Sequence, residues 1–201
     1  MITIVLQAGG ESTRMGKDKA FIPFLGIPLI ERLIDRFNQL NTEIVIISND
    51  LPAYQGLGLP VFEDVRPGRG ALGGLLTALS VANTPLIGLI AVDMPFASPQ
   101  LFRYMAERMK ETSWDGMIPS TPNGIEPLHA IYRRESCLPL VEQAIDRDLW
   151  RMKAWHEFAN LKILEPEETM EITGSKHTFL NLNTPEDYSA AEEIARNLGL
   201  G

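Results

Sequence analysis

Cysteine is almost absent from this chain, with Cys137 the only one in 201 residues. A lone thiol forms no internal disulfide, and Cys137 stands in no metal-ligand spacing, so neither a disulfide framework nor a cysteine-based metal centre organises the fold. Histidine is nearly as scarce. His129, His156 and His177 show no metal spacing, and none reads as a base or a ligand. Positive charge is in deficit, with 18 Lys and Arg against 26 Asp and Glu and a net charge of -8. A general nucleic-acid binder needs the opposite balance, because phosphate backbones are gripped by an excess of cations. Long apolar runs are also missing, none approaching the ~20 residues that span a bilayer. The first residues lack the basic region and cleavage site of a signal peptide. These absences lead to the expectation of a cytoplasmic protein with no nucleic-acid and no membrane partner.

The composition that remains, 45% hydrophobic and 22% charged, is that of a globular chain with enough interior for one real core. Apolar runs alternate with helix-periodic stretches, the pattern of an α/β fold. Strands are expected at 2–7, 43–48, 61–63 and 86–92. Helices are expected from Pro28 to about 40, over about 71–82, and over 98–111 with Ser98 as cap and Pro99 first. In the second half, 115–119 and 128–132 read as strands joined through a turn at Pro122-Asn123-Gly124. Helices around 135–146 and 149–157 precede a strand near 159–164. The acidic stretch 165–172 reads as a loop or edge element and Phe179–Leu182 as a short strand. Thr184 caps the last helix. No repeat, low-complexity tract or linker interrupts the chain, which reads as one domain, 1–201.

Two glycine-rich segments carry the chemistry. In the first, strand 2–7 runs into Gln7-Ala8-Gly9-Gly10, and Arg14, Lys17 and Lys19 follow within a few residues. Backbone amides freed by glycine approach an anion closely, and the clustered cations neutralise it, so a nucleoside triphosphate is the natural guest. The P-loop motif is absent: Gly10 stands six residues before Gly16, and Lys17 is followed by Asp18. In the second, Gly68-x-Gly70-x-x-Gly73 formally matches a dinucleotide fingerprint, with Asp93 twenty residues on. That motif needs a strand running straight into its first glycine, and Arg66-Pro67 interrupts here.

Gly9-Gly10-x-Ser12-x-Arg14-Met15-Gly16-x-Asp18-Lys19 resembles the signature of the molybdenum cofactor guanylyltransferases, a branch of the nucleotidyltransferases. Related cytidylyl- and sugar-nucleotide transferases share the Arg-Met and the later Lys but usually carry Ala-Ala-Gly and lack the Asp-Lys pair. The resemblance extends in order over nearly the whole chain. It implies a three-layer Rossmann-like nucleotidyltransferase fold of the nucleotide-diphospho-sugar transferase type, with a mostly parallel central sheet flanked by helices. The N-terminal part would bind nucleotide and the C-terminal part the acceptor.

By that resemblance Gln7, Ala8, Gly9, Gly10, Lys19, Asn49, Asp64, Gly73 and Asp93 contact the guanine nucleotide, although Gln7 stands where the family usually has an apolar residue. Asn49 follows the second strand, and an amide presents both a donor and an acceptor to a base edge. Asp93 ends the strand 86–92, where one carboxylate with phosphate oxygens and water suffices for Mg²⁺. Asn181 and Asn183 alternate across Leu182 in a motif the family places on the acceptor side; in a strand both would share a face. Glu126–Tyr132 also resembles a stretch near the acceptor. Arg147, Arg151 and Lys153 fall where the family has basic residues for the incoming cofactor.

The expected reaction is transfer of GMP from GTP to molybdenum-bound molybdopterin, with Mg²⁺ on Asp93 and with Arg14 and Lys19 stabilising departing pyrophosphate. Molybdoenzyme apoproteins or their chaperones are expected as further partners. Two other readings stay open: a sister transferase using CTP or a sugar phosphate, and a non-catalytic molybdenum-cofactor-binding adaptor.

Overall fold

The alternation of buried residues along each strand decides the layering. In β1 (Ile2–Gln7), Ile4 and Leu6 face one way and Val5 the other, all fully buried. A strand apolar on both faces must be covered on both. A computed structural model of the chain describes residues 1–8 and 18–200.

β1 pairs in parallel with β4 (Glu43–Ile47) and with β6 (Leu86–Ala91). β4 pairs in parallel with β5 (Val61–Phe62). Beyond β6 lie β9 (His129–Arg133), then β7 (Gly116–Thr121), then β10 (Leu161–Leu164), so the order across the sheet is β10-β7-β9-β6-β1-β4-β5. β9 runs antiparallel to both neighbours, and every other pair along this path is parallel. The short β8 (Gly124–Ile125) forms a hairpin on β7. Separately, β2 (Pro23–Phe24) and β3 (Ile27–Pro28) make a small ribbon whose turn places both Leu25 and Gly26 at positive φ.

Helices α1 (Leu29–Asn38) and α4 (Pro99–Lys110) cover one face, burying Ile30, Leu33, Phe37, Phe102 and Met105 against Ile4, Leu6 and Ile46. Helices α3 (Gly70–Val81) and α5 (Arg134–Asp146) cover the other, burying Leu72, Leu76, Leu79 and Val141 against Val5, Ile47 and Leu89. A one-turn helix α2 (Leu51–Tyr54) follows β4. The last helix, α7 (Pro185–Asn197), packs Tyr188, Ala191 and Ala195 onto Phe24, Phe96 and Leu182. Its start is the expected one: the Thr184 hydroxyl accepts from Asp187 N–H, and the Asp187 carboxylate accepts from Thr184 N–H.

Three expected elements differ. Residues 149–157 form turns, with a single 3-10 turn at His156–Phe158, because Asp148 adopts φ 59° and ends the helical course after α5. The wrapped segment instead buries Trp155 against Tyr132, ring centroids 5.5 Å apart. The acidic stretch is a helix, α6 (Pro166–Thr173): Pro166 opens it, Glu167 and Glu168 complement the positive end of its dipole, and Gly174 at φ 62° closes it. Phe179–Leu182 joins no ladder. The Leu182 N–H goes to the Asp93 carbonyl at 2.9 Å, beyond the end of β6 rather than along it.

Candidate active site

β1 leads through α1 to β4 on one side, while β6, on its other side, leads on towards β9 and β7. The connections therefore diverge between β1 and β6, and their carboxyl ends border the crevice where open α/β sheets bind ligands. Gln7 and Ala8 leave β1 there, and Val92 and Asp93 leave β6 beside them, Val92 N–H bonding the Gln7 carbonyl at 3.2 Å. Ser48 to Asp50 leave β4 on the far side of β1.

A cleft of about 430 Å³ opens over these ends, lined by Gln7, Ala8, Ser48, Asn49 and Asp64 among others. Asn49 and Asp64 hold each other. The Asn49 amide donates to the Asp64 carboxylate at 2.9 Å, and the Asp64 N–H donates to the Asn49 carbonyl oxygen at 3.0 Å. The Thr77 hydroxyl fixes the same turn by accepting from Val65 N–H at 3.0 Å. Asp18 and Asp50 add two more carboxylates to the lining. Such a wall suits the N–H-rich edge and hydroxyls of a nucleoside and repels phosphate, so the triphosphate belongs outside it.

Lys19 supplies the charge for that. It opens a 3-10 turn, Lys19–Phe21, capped by Asp18, whose carboxylate accepts from Ala20 N–H at 3.0 Å and from the Tyr54 hydroxyl at 2.5 Å. The Lys19 ammonium donates to the Asn183 side-chain oxygen at 2.9 Å. The Tyr188 hydroxyl donates to the Lys19 carbonyl at 3.3 Å, and burial together with the Asp93 and Asp18 carboxylates pushes the Tyr188 phenol up to about 12. Asp93 faces the same group of side chains. Burial raises its carboxyl above the usual range, with the Lys19 charge pulling the other way. Its Oδ1 is buried without a hydrogen-bond partner among the described residues.

The remaining expected residues fall in different places. Gly9, Gly10 and Arg14 lie outside the described residues. Gln7 is 6% exposed and turns its carboxamide onto α3, where Nε2 reaches the Ala71 carbonyl at 3.4 Å and Oε1 has no partner among the described residues. Gly73 is buried in the first turn of α3, where an added Cβ would meet Arg69 Cβ at 3.0 Å and the Arg66 carbonyl at 3.2 Å. It packs against the 66–69 turn, and among the described residues Gly68 and Gly70, at φ 76° and 54°, line the cleft. Asn183 reaches Lys19, while Asn181 bonds back to the Phe179 carbonyl at 3.3 Å, so the pair does not share one strand face. Lys153 approaches Gly124, Arg147 lies over the Phe158 ring, and Arg151 is exposed. Sequence reading assigned no contact to Asp18, Ser48 or Asp50, although their positions beside Lys19 and at the end of β4 were a usable signal. His129 is fully buried between Phe102 and Phe179 and falls to about 3, a packed neutral ring.

A nucleoside-sized cleft on one side of the switch point, with a lysine and an aspartate oxygen unpaired among the described residues beside it, is an arrangement suited to nucleotidyl transfer. The chain belongs to the MobA-like NTP transferase domain family, which matches residues 4–160. A relative in Carboxydothermus hydrogenoformans, named "Probable molybdenum cofactor guanylyltransferase", is 33% identical over 193 residues, 96% of either chain. The crystal structure of molybdopterin-guanine dinucleotide biosynthesis protein A from Archaeoglobus fulgidus superimposes with a TM-score of 0.84 at 25% identity, covering 98% of this chain and 100% of that one. The fold is shared more widely. 2-C-methyl-D-erythritol 4-phosphate cytidylyltransferase from Thermus thermophilus gives a TM-score of 0.69 at 17% identity, covering 96% and 98% of the two chains.

Proposed function

We propose that this protein transfers GMP from GTP to the terminal phosphate of the molybdenum-molybdopterin cofactor, releasing pyrophosphate and forming the guanine dinucleotide. The choice of guanine and of acceptor rests on the names of full-length relatives. The observation that carries the transfer chemistry is Asp93, a carboxylate beside Lys19 at the switch point with a buried oxygen that has no partner among the described residues. In the reaction an acceptor phosphate oxygen bonds to the α-phosphorus of GTP, and the bond from that phosphorus to the bridging oxygen breaks. The electron pair leaves with pyrophosphate. The attacking oxygen is already anionic, so no general base is required.

The described residues include no cluster of three potential metal ligands. One carboxylate with an oxygen free of partners among the described residues nevertheless fits Mg²⁺, which keeps water and phosphate oxygens for its remaining positions. Asp93 would hold the ion, which when bound supplies charge neutralisation across the phosphates. The protein's own part is alignment and electrostatics. The Asn49–Asp64 pair orients the nucleoside, and Lys19, held by Asn183, neutralises charge on the departing pyrophosphate.

A pyrophosphate-release assay with each NTP, Mg²⁺ and molybdenum cofactor tests this reading. Release with GTP alone among the nucleotides is expected, with Asp93→Ala lowering the rate at least ~100-fold in a folded protein. GTP, and not CTP, should raise the melting temperature in the presence of Mg²⁺. Stabilisation by CTP instead would identify a sister transferase. Binding without any pyrophosphate release would identify a carrier of cofactor.

A further inference from the structure

A second cavity, of about 350 Å³, opens at the carboxyl end of β7, away from the nucleoside cleft. Its floor is Ser120 and Thr121, and α6 forms one wall with Thr169 and Met170. Phe179 and Leu180 form another, and two residues later the Leu182 N–H bonds the Asp93 carbonyl at 2.9 Å. The cavity therefore borders the segment that carries Asn181 and Asn183. β7 lies two strands from β6, with β9 between them, which puts its carboxyl end roughly 10 Å from that of β6. A phosphate ester attacking beside Asp93 could rest its body here, with the nucleoside on the opposite side.

Two polar groups in this cavity lack adequate partners. Thr169 is 3% exposed, and its hydroxyl has no hydrogen-bond partner among the described residues. Glu126 is partly buried, and its one side-chain hydrogen bond among the described residues is a long one, 3.4 Å from the Thr121 hydroxyl. Burial raises the Glu126 carboxyl, and the Thr121 hydroxyl and the Lys153 charge oppose that. A carboxylate left in this way is completed by a ligand that offers it two adjacent N–H donors. Met170, Phe179 and Leu180 offer apolar surface for a flat ring.

We propose that this cavity binds the fused-ring body of the acceptor, a 2-amino-4-oxopteridine, with Glu126 accepting hydrogen bonds from its N3–H and 2-amino group and Thr169 serving the ring's remaining polar edge. The proposal rests on the guanylyl-transfer reading for the identity of the acceptor. The same donor edge occurs on guanine, so the ring must be shown to avoid the nucleoside cleft.

Fluorescence titration with 6-hydroxymethylpterin, under saturating GTP and Mg²⁺, separates the two sites. Lumazine, which carries oxygen in place of the 2-amino group, is the control. Wild-type protein should prefer the pterin at least tenfold, and Glu126→Gln should abolish that preference while leaving the GTP-induced thermal shift unchanged. Should Glu126→Gln fail to fold, Met170→Trp, at a side chain that is 46% exposed, fills the cavity instead and should remove pterin binding alone. Equal affinity for the two rings, an unaltered preference in Glu126→Gln, or displacement of the pterin by GTP each overturn the proposal. A wild-type protein whose melting temperature ignores GTP overturns the guanylyl-transfer reading instead, and the pterin titration can still be read without nucleotide.

Discussion

Asp93 shows how a site residue can weaken the molecule that carries it. Its carboxyl is raised by burial, so the folded state binds that proton more tightly than the unfolded chain does. Stability should therefore fall as pH rises from the ordinary carboxylate range, about 4, through the raised folded value, and the loss is complete above it. Asp93→Asn removes this ionisation. In thermal melts without nucleotide or metal, the variant should match or exceed wild type at pH 7, and the gap should narrow towards pH 4. A variant that melts below wild type at both pH values would show the carboxylate to be held by partners rather than strained by burial. Asp93, Asn49 and Asp64 were legible because each follows an apolar strand. The Asn49–Asp64 pair was not, since it joins residues fifteen apart, with α2 and β5 between them.

At the scale of elements, the contact between β1 and α3 depends on a side chain meeting a glycine. An added Cβ at Gly74 would sit 1.9 Å from Gln7 Nε2 and 2.3 Å from its Cδ, so Gly74→Ala must displace the carboxamide. Overpacking of this kind costs about 1–3 kcal/mol. Shortening Gln7 to Ser should recover part of that loss, and urea denaturation of the double variant would then show coupling. Simple additivity of the two single losses would refute the contact. The capping box gives an independent element-scale test. Thr184→Ala should cost about 1 kcal/mol, a drop of roughly 2–4 °C in melting temperature for a chain of this size. Two of the three element differences have one origin. Residues 149–157 carry helix-compatible apolar spacing, but Trp155 finds its burial against Tyr132 without a helix. Residues 166–173 carry little apolar signal, yet caps and one buried face, with Thr169 at its centre, suffice once α4 and β7 are beside them.

Across the whole molecule, the turn lining the nucleoside cleft is tied to the far end of α5. Arg66 pairs with Asp146 and Arg69 with Asp148, and the Arg69 guanidinium also lies 4.3 Å from the centre of the exposed Trp150 ring. These exposed pairs contribute little stability individually, but they join the N-terminal half's second glycine turn to the C-terminal half. The chain by itself determined the α/β class, most of the strands and the glycine-rich segments, because burial periodicity and glycine usage are local properties of sequence. It also marked Lys19 by its place in the cation cluster after the first glycines, and Asp93 by its place at a strand end. Only the tertiary structure decided that Asn183 reaches Lys19 across 164 residues, that Gln7 turns onto α3, and that Gly73 packs where Gly68 and Gly70 line the cleft. Those outcomes depend on which faces meet after the sheet has assembled, and a one-dimensional pattern contains no information on that meeting.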